Sequence, residues 1–273
     1  MSGESSSDSD DELLEDVPRE RFPEHIAIIT DGNGRWAERR GQPRHQGHLE
    51  GARAVKRTVI EGARLRLGQL TFYSFSSENW NRPRHEVGLL MALYRSRLLA
   101  ELDLMMDRDI RFRVIGDIDG LPAAVAREMR NAEQVTARNA GLVLCLALNY
   151  GGRDEILRAV RRLAEDVTAG TLSPEQIDAA LLSERLDTAG MPDPDLMIRT
   201  AGEMRLSNFL LWQLSYAELH FTDVLWPDFA EPDLHAAIRA YASRQRRFGG
   251  LPGEAASPGD SPRGGRKGGG DAS

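Results

Sequence analysis

The chain has 273 residues, a formal net charge of −7, and 41% hydrophobic and 28% charged residues, which is enough for one or two domains around a sizeable core. No apolar run reaches the roughly 18 residues of a membrane span, and the acidic, Ser-rich start lacks the basic and apolar regions of a secretory signal. A single cysteine, Cys145, excludes an internal disulfide framework and a cysteine zinc cluster. The charge is unevenly placed. Residues 1–20 alone carry −7, residues 251–273 balance, and residues 21–250 sum to zero. Both ends read as solvated tails, 1–20 acidic and 251–273 Gly/Pro-rich, around a neutral body. That neutrality argues against nucleic acid as a partner. Of the 35 basic residues only Lys56 and Lys267 are lysines. Codon bias explains most of the rest, but arginine is also the residue that grips phosphate with two parallel hydrogen bonds.

In chain order, His25 to Thr30 is a short apolar run ending at the Gly-rich turn Asp31-Gly32-Asn33-Gly34, the pattern of a buried strand followed by a turn. Helical patterns follow over 35–40 and 47–67. A second strand covers 69–76, a long helix 86–108, a third strand 111–116, a helix 122–139, and a strongly apolar fourth strand 142–150. Residues 154–169 are helical. Ser173-Pro174-Glu175-Gln176 carries the cap, proline and acidic residue that open another helix. A fifth strand at 195–200, a helix at 208–216, a sixth strand at 218–222 and a helix at 231–247 complete the pattern. Strands alternating with helices predict an α/β fold, with a mainly parallel six-stranded sheet flanked by helices. In such sheets ligands bind at the carboxyl ends of the strands.

Three strand ends carry the chemistry. After the first strand, Gly32 and Gly34 let the backbone approach a ligand, the following helix presents free N–H groups, Arg35 adds a guanidinium and Asp31 a carboxylate. Beside a phosphate, that carboxylate suggests Mg²⁺. Alone, the same residues would equally make an Asp-capped turn. The second strand ends in Ser76-Ser77-Glu78-Asn79-Trp80-Asn81-Arg82, a polar cluster that alone could be a capped loop. The fifth ends near Arg199, Arg205 and Ser207, a diphosphate clamp in outline. Glu218 follows as a second carboxylate able to meet Asp31 at a metal. Neither G-x-x-x-x-G-K-[ST] nor G-x-G-x-x-G occurs, which removes support for ATP or dinucleotide binding. Together the three ends suit two phosphorylated ligands with Mg²⁺.

These residues also carry a resemblance. HIAIITDGNGRWAERRGQPRHQGH, FYSFSSENWNRP, NYGGR, DPDLMIRTAGEMRLSNFLLWQLSYAELHFTDVLWPDF and RQRRFGG resemble the cis-prenyltransferases of the bacterial undecaprenyl diphosphate synthase type, over about residues 22–250. The resemblance implies a homodimer that extends an allylic diphosphate, commonly farnesyl diphosphate, with isopentenyl diphosphate, each new double bond being cis. It implies that Asp31 assists Mg²⁺ and diphosphate departure, and that Gly32, Asn33, Gly34, Arg35, Arg44 and His48 hold the allylic diphosphate. Trp36, Ser76, Ser77, Glu78, Trp80 and Arg82 would line the substrate site, with Asn79 where the family's proposed proton acceptor lies. Arg199, Arg205, Leu206 and Ser207 would bind isopentenyl diphosphate, and Glu218 would ligate Mg²⁺. The segment Arg247-Phe248-Gly249 resembles one that reaches into the partner subunit's site.

Departures from the family pattern are small: Thr30, Ala201 and His220 stand where Met, Gly or Ser, and an aromatic are usual. The paired aspartate motifs of the trans-type enzymes are missing, since Asp10-Asp11 lies in the acidic tail with the wrong spacing. The expected product is a long C55-type lipid carrier delivered to the membrane by a cytoplasmic enzyme, at most peripheral to the bilayer. A short-chain synthase and a non-catalytic accessory subunit are the alternatives, the second disfavoured by the charged residues present.

Overall fold

Six strands run parallel in the order β3-β4-β2-β1-β5-β6 in a computed structural model that describes residues 14–244. They are β1 (His25–Ile29), β2 (Gln69–Ser76), β3 (Arg111–Ile115), β4 (Val143–Tyr150), β5 (Leu196–Arg199) and β6 (Glu218–Phe221). All five pairings among the described residues are parallel. The helices are α1 (Asn33–Glu38), α2 (Arg44–Arg64), α3 (Arg84–Asp107), α4 (Ala123–Val135), α5 (Gly152–Thr168), α6 (Ala179–Arg185) and α7 (Glu231–Ala242). The chain divides into a unit ending at Ala242 and a second, Ser243–Ser273, of which only Ser243 and Arg244 are described. The expected C-terminal tail, the last residues of the 231–247 helix and the Arg247-Phe248-Gly249 segment lie outside the described residues.

The alternation of side chains along β1 sorts the core. Ile26 and Ile28 face a large cluster with Phe72, Leu144, Leu148 and residues of α2, α3, α4 and α7. Ala27 and Ile29 face a second cluster with Tyr73, Ala147, Met197, Phe209 and Leu214. All five β1 residues are buried, as a central parallel strand covered on both faces requires. From β1 the chain passes to β2, then to the edge strand β3, inserts β4 between them, and returns to the other side of β1 for β5 and β6. The strand order therefore reverses at β1, where such sheets open a crevice at their carboxyl ends. Asp31 follows β1 there, and Arg199 ends the neighbouring β5 at the level of Ile29.

Three expectations are corrected. The helix expected at 208–216 is a loop closed by a short 3₁₀ turn, Gln213–Tyr216. Ser207, Asn208 and Leu210 hold left-handed φ values of 48°, 64° and 42°, which no helix accommodates. Burial of Phe209 and Leu210 and a bond from Gly152 N to Asn208 O (2.7 Å) hold the loop in that form. The cap at Ser173 starts only a 3₁₀ turn, Pro174–Gln176, and the helix proper is α6, capped by the Asp178 carboxylate on Leu181 N at 2.8 Å. The acidic arm expected over 1–20 contains a packed stretch. Leu14 is buried in the first cluster, and Asp16 accepts two hydrogen bonds from Arg239 Nε and Nη2 at 2.9 and 3.0 Å.

Candidate active site

The turn after β1 is fixed by the backbone before any ligand is considered. Gly32 has φ +104°, and a Cβ there would fall 2.9 Å from Leu225 Cδ2, so only glycine fits. The Asp31 carboxylate accepts from Gly32 N at 2.8 Å, while Asp31 N donates to Thr200 Oγ1 at 2.9 Å. Asn33 then opens α1, and α2 lies close against it: a Cβ on Gly47 would sit 1.9 Å from Asn33 O. Glycines at 47 and 51 thus let α2 approach the loop that carries the site.

Across the crevice, Arg199 Nη2 donates to Asp31 Oδ2 at 3.0 Å. Arg199 is 3% exposed. Its Nη1 donates to Ser207 Oγ at 2.8 Å and to Arg205 O, while its Nε has no hydrogen-bond partner. The Arg205 side chain turns outward to Glu203, which also accepts from Arg35 Nη2 at 3.1 Å. Glu203 therefore joins arginines from two strand ends. The loop after β2 closes the third side. Ser76 and Asn79 cap each other, with Ser76 N donating to Asn79 Oδ1 at 3.2 Å. Asn208 binds across from the 201–210 loop, donating to Glu78 Oε1 at 2.9 Å and accepting from Arg153 N at 2.9 Å. Tyr73 OH donates to Ser207 O at 3.3 Å beneath it.

A basic group stands at the rim over α1 and α2. Arg82 donates to Glu86 Oε1 at 3.2 Å, and Arg44 and His48 each lie 3.9 Å from the same carboxylate. Arg44 also pairs with Glu38 at 2.5 Å and lies over Gly34. Burial, reinforced by Arg82 and Arg44, lowers the His48 pKa to about 4, so its imidazole is neutral at neutral pH.

Behind this mouth lies a cavity of about 600 Å³ between α2, α3 and the sheet. Its mouth includes Asp31, Asn33, His48, Ser76, Glu78, Asn79, Arg82, Arg199 and Ser207, and its depth is walled by residues such as Val59, Leu98, Met105, Ile110, Phe112 and Leu144. Three buried polar atoms at the mouth, Arg199 Nε, Asn33 Oδ1 and His48 Nε2, have no hydrogen-bond partner. Buried donors and acceptors are normally satisfied, so such atoms mark where a polar ligand binds. The combination is a polar, partly basic mouth on an apolar pocket.

A model of a protein family described as "Putative undecaprenyl diphosphate synthase" matches residues 29–249. The chain belongs to this family. It is a prenyltransferase. An isoprenyl transferase of Rhizobium meliloti is 52% identical over 229 residues, 84% of this chain and 93% of that one. A ditrans,polycis-undecaprenyl-diphosphate synthase ((2E,6E)-farnesyl-diphosphate specific) of Salmonella typhimurium is 50% identical over 236 residues, 86% of this chain and 92% of that one. Among solved structures, lavandulyl diphosphate synthase from Lavandula x intermedia, in complex with dimethylallyl diphosphate, matches with TM-score 0.82 and 40% identity over 84% of this chain and 99% of that one.

The prenyltransferase does not bring every expected residue to the mouth. Trp36 donates to Asp228 Oδ1 at 2.6 Å and lies under Arg40, 4.0 Å from its ring centre. Ser77 donates to Asp154 Oδ2 at 3.0 Å, and Trp80 Nε1 to Asn149 Oδ1 at 2.7 Å with its ring edge-on to Phe75. Leu206 packs on the second core cluster. Glu218 does not meet Asp31 within the chain. It opens β6 opposite Leu196, whereas the mouth is at the level of Arg199, about 10 Å further along at ~3.3 Å per residue. No group of three or more His, Cys, Asp or Glu suited to a metal occurs among the described residues. Mg²⁺ is commonly held by one or two carboxylates plus substrate phosphates, so Asp31, a third exposed at the mouth, fits that ion when a diphosphate supplies the other oxygens. Sequence reasoning missed Glu203, Asn208, Thr200 and Glu86. Thr200, Asn208 and Glu203 reach across the fold to Asp31, Glu78 and Arg35, and Glu86, though four residues from Arg82, also gathers Arg44 and His48 from α2; only the strand-end position of Glu203 and Asn208 hinted at them.

Proposed function

We propose that this prenyltransferase joins isopentenyl diphosphate to an allylic diphosphate, farnesyl diphosphate in the first round, and repeats the step to make a long Z-polyprenyl diphosphate of the undecaprenyl kind. One observation carries the reading: the Asp31–Arg199 pair stands where a polar mouth opens onto an apolar cavity at the reversal point of the sheet. In each round the allylic C1–O bond breaks, a C–C bond forms to isopentenyl diphosphate, and one proton leaves. Arg35, Arg44, neutral His48 and the α1 backbone hold the allylic diphosphate. Arg199, Arg205 and Ser207 hold isopentenyl diphosphate. Of these, His48, Arg199 and Ser207 already line the mouth, where groups in place before charge develops stabilise the leaving diphosphate most, whereas Arg205 must turn in from Glu203 to join them. Asp31 and the substrate phosphates hold Mg²⁺, which neutralises diphosphate oxygens when bound.

The apolar walls keep water from the allylic cation and receive the lengthening chain. Asn79 orients rather than accepts the proton: an amide is a weak base, and its oxygen already takes the Ser76 N–H. The departed diphosphate is the better acceptor. A metal role for Glu218 then requires a second copy of the chain, which the homodimer expected of the family would supply. Among the described residues no helix is long and apolar enough to cross a membrane, and the product passes to the bilayer from an enzyme in the cytoplasm. Incubation with farnesyl diphosphate, labelled isopentenyl diphosphate and Mg²⁺ tests the reading. Stepwise products with new cis double bonds support it, and absence of condensation refutes it.

A further inference from the structure

The alternation of side chains breaks at the carboxyl ends of β2 and β4. Between the pairs Tyr73–Ala147 and Phe75–Leu148, β2 carries one extra residue, Ser74. Between Phe75–Leu148 and Ser76–Tyr150, β4 carries one, Asn149. The two bulges oppose each other, so the strands come back into step, and their effect is to re-aim side chains. Cys145 and Ala147 face the second core cluster, and strict alternation would send Asn149 there next. Asn149 instead takes a left-handed φ of 49°, and Tyr150 enters the cluster. The Asn149 amide is used elsewhere, between Trp80 Nε1 and Asp117 O.

Tyr150 thereby joins Tyr73 and Phe209 in a buried aromatic group beneath the loop that carries Ser207. The Phe209 ring stacks on Tyr73 at 4.5 Å and 12°, and the Tyr150 ring meets Tyr73 and Phe209 edge-on at 6.1 and 6.2 Å. Glu155 Oε2 accepts from Tyr150 OH at 2.6 Å and holds that ring in turn. The Tyr73 hydroxyl reaches the loop and shares its one proton between Ser207 O at 3.3 Å and Tyr150 O at 3.2 Å. The loop requires such a hold. Ser207, Asn208 and Leu210 all have left-handed φ values, and a backbone of that kind persists only where its surroundings over-determine it. Tyr73 grips the loop twice, by its hydroxyl on Ser207 O and by its ring on Phe209. Ser207 Oγ then accepts from Arg199 Nη1 at 2.8 Å.

We propose that Tyr73 is a positioning residue for isopentenyl diphosphate: its hydroxyl and ring fix the backbone at Ser207 and Phe209 and so set where Ser207 Oγ and Arg199 meet the diphosphate. The proposal rests on the reaction proposed above and on its assignment of Arg199 and Ser207. Tyr73 keeps its proton throughout, because burial raises its phenol well above the usual tyrosine pKa. The allylic side of the mouth does not depend on this tether. Arg44, His48 and the backbone that starts α1 belong to α1 and α2, and neither helix contributes a residue to the aromatic cluster.

Tyr73→Phe removes the hydroxyl and keeps the ring. Initial rates of the first addition, with farnesyl diphosphate and labelled isopentenyl diphosphate, give a KM for each substrate, and thermal denaturation gives Tm. The expected result is a KM for isopentenyl diphosphate raised about three- to tenfold, the effect of one lost hydrogen bond, with the allylic KM unchanged. Phe209→Leu takes away the stacked ring, leaves the hydroxyl, and is expected to raise the same KM. Thr136→Val is the control for lost stability alone. It removes a buried hydroxyl bonded to Ala132 O and Phe112 N at the amino end of β3, and is expected to lower Tm without moving either KM. An unchanged KM for isopentenyl diphosphate in Tyr73→Phe, or an equal rise in both KM values, would overturn the positioning role. Absence of even the first addition by native enzyme would instead overturn the reaction it rests on.

Discussion

The Asp31 carboxylate and the Arg199 guanidinium, 168 residues apart in the chain, meet at 3.0 Å because β1 and β5 are adjacent parallel strands in register at Ile29 and Arg199. That pair joins the two halves of the mouth. Arg199 is the buried partner, and it keeps two further bonds, to Ser207 Oγ and Arg205 O, when Asp31 is altered.

Asp31→Asn keeps the size of the side chain and removes its charge. Loss of one electrostatic group of this kind costs about 10²–10³ in rate. We expect kcat to fall by at least that factor with an unchanged circular dichroism spectrum, measured by incorporation of labelled isopentenyl diphosphate.

Gly47→Ala places a methyl group where Asn33 O now lies, at 1.9 Å. Overpacking of this kind costs roughly 1–3 kcal/mol, and relief requires α1 and α2 to part. A lower Tm together with a raised KM for the allylic substrate is expected from thermal denaturation and steady-state kinetics.

Asn208 ties the loop after β5 to both Glu78 and the start of α5. Its left-handed φ of 64° suits asparagine better than most residues. Asn208→Ala is expected to lower kcat/KM for isopentenyl diphosphate about tenfold or more, with a smaller effect on the KM of the allylic substrate. Asn208→Gly, which relieves the backbone but not the lost bonds, is expected to recover stability without recovering rate.

Acid should weaken the fold in a defined window. His25 and His48 have pKa values lowered from 6.5 to about 4, in both cases mainly by burial. Between those pH values the unfolded chain binds more protons than the folded one. Stability is therefore complete above pH 6.5, falls as the pH drops toward 4, and is not lowered further by these groups below that. Each histidine contributes up to roughly 1.4 kcal/mol per pH unit within the window. The difference between native protein and His48→Gln in denaturant melts at pH 7 and pH 5 isolates one of them.

Much of this was legible in the sequence. The apolar run 25–30 ending in Asp31-Gly32-Asn33-Gly34 specified a buried strand and its turn, and the strand–helix alternation specified a parallel sheet. The 208–216 segment misled because its apolar spacing is that of a helix, while Phe209 and Leu210 are buried by a loop whose left-handed backbone is fixed by long-range bonds. Leu14 and Asp16 misled in the opposite sense: acidic composition read as a solvated arm, but one buried leucine and one pairing with Arg239 anchor its end. Glu218 is a matter of register. Its strand was foreseen, and in a parallel sheet the residue that opens a strand lies at the end away from the mouth, where Glu218 pairs with Leu196. The bridging of Arg35 and Arg205 by Glu203 is likewise a product of the β1–β5 adjacency.

The most direct test of the account is product analysis after incubating the full chain with farnesyl diphosphate, labelled isopentenyl diphosphate and Mg²⁺. The account predicts polyprenyl diphosphates well beyond five units, every added double bond cis, and their loss in Asp31→Asn. Trans double bonds, or the same products from Asp31→Asn at the native rate, would contradict it.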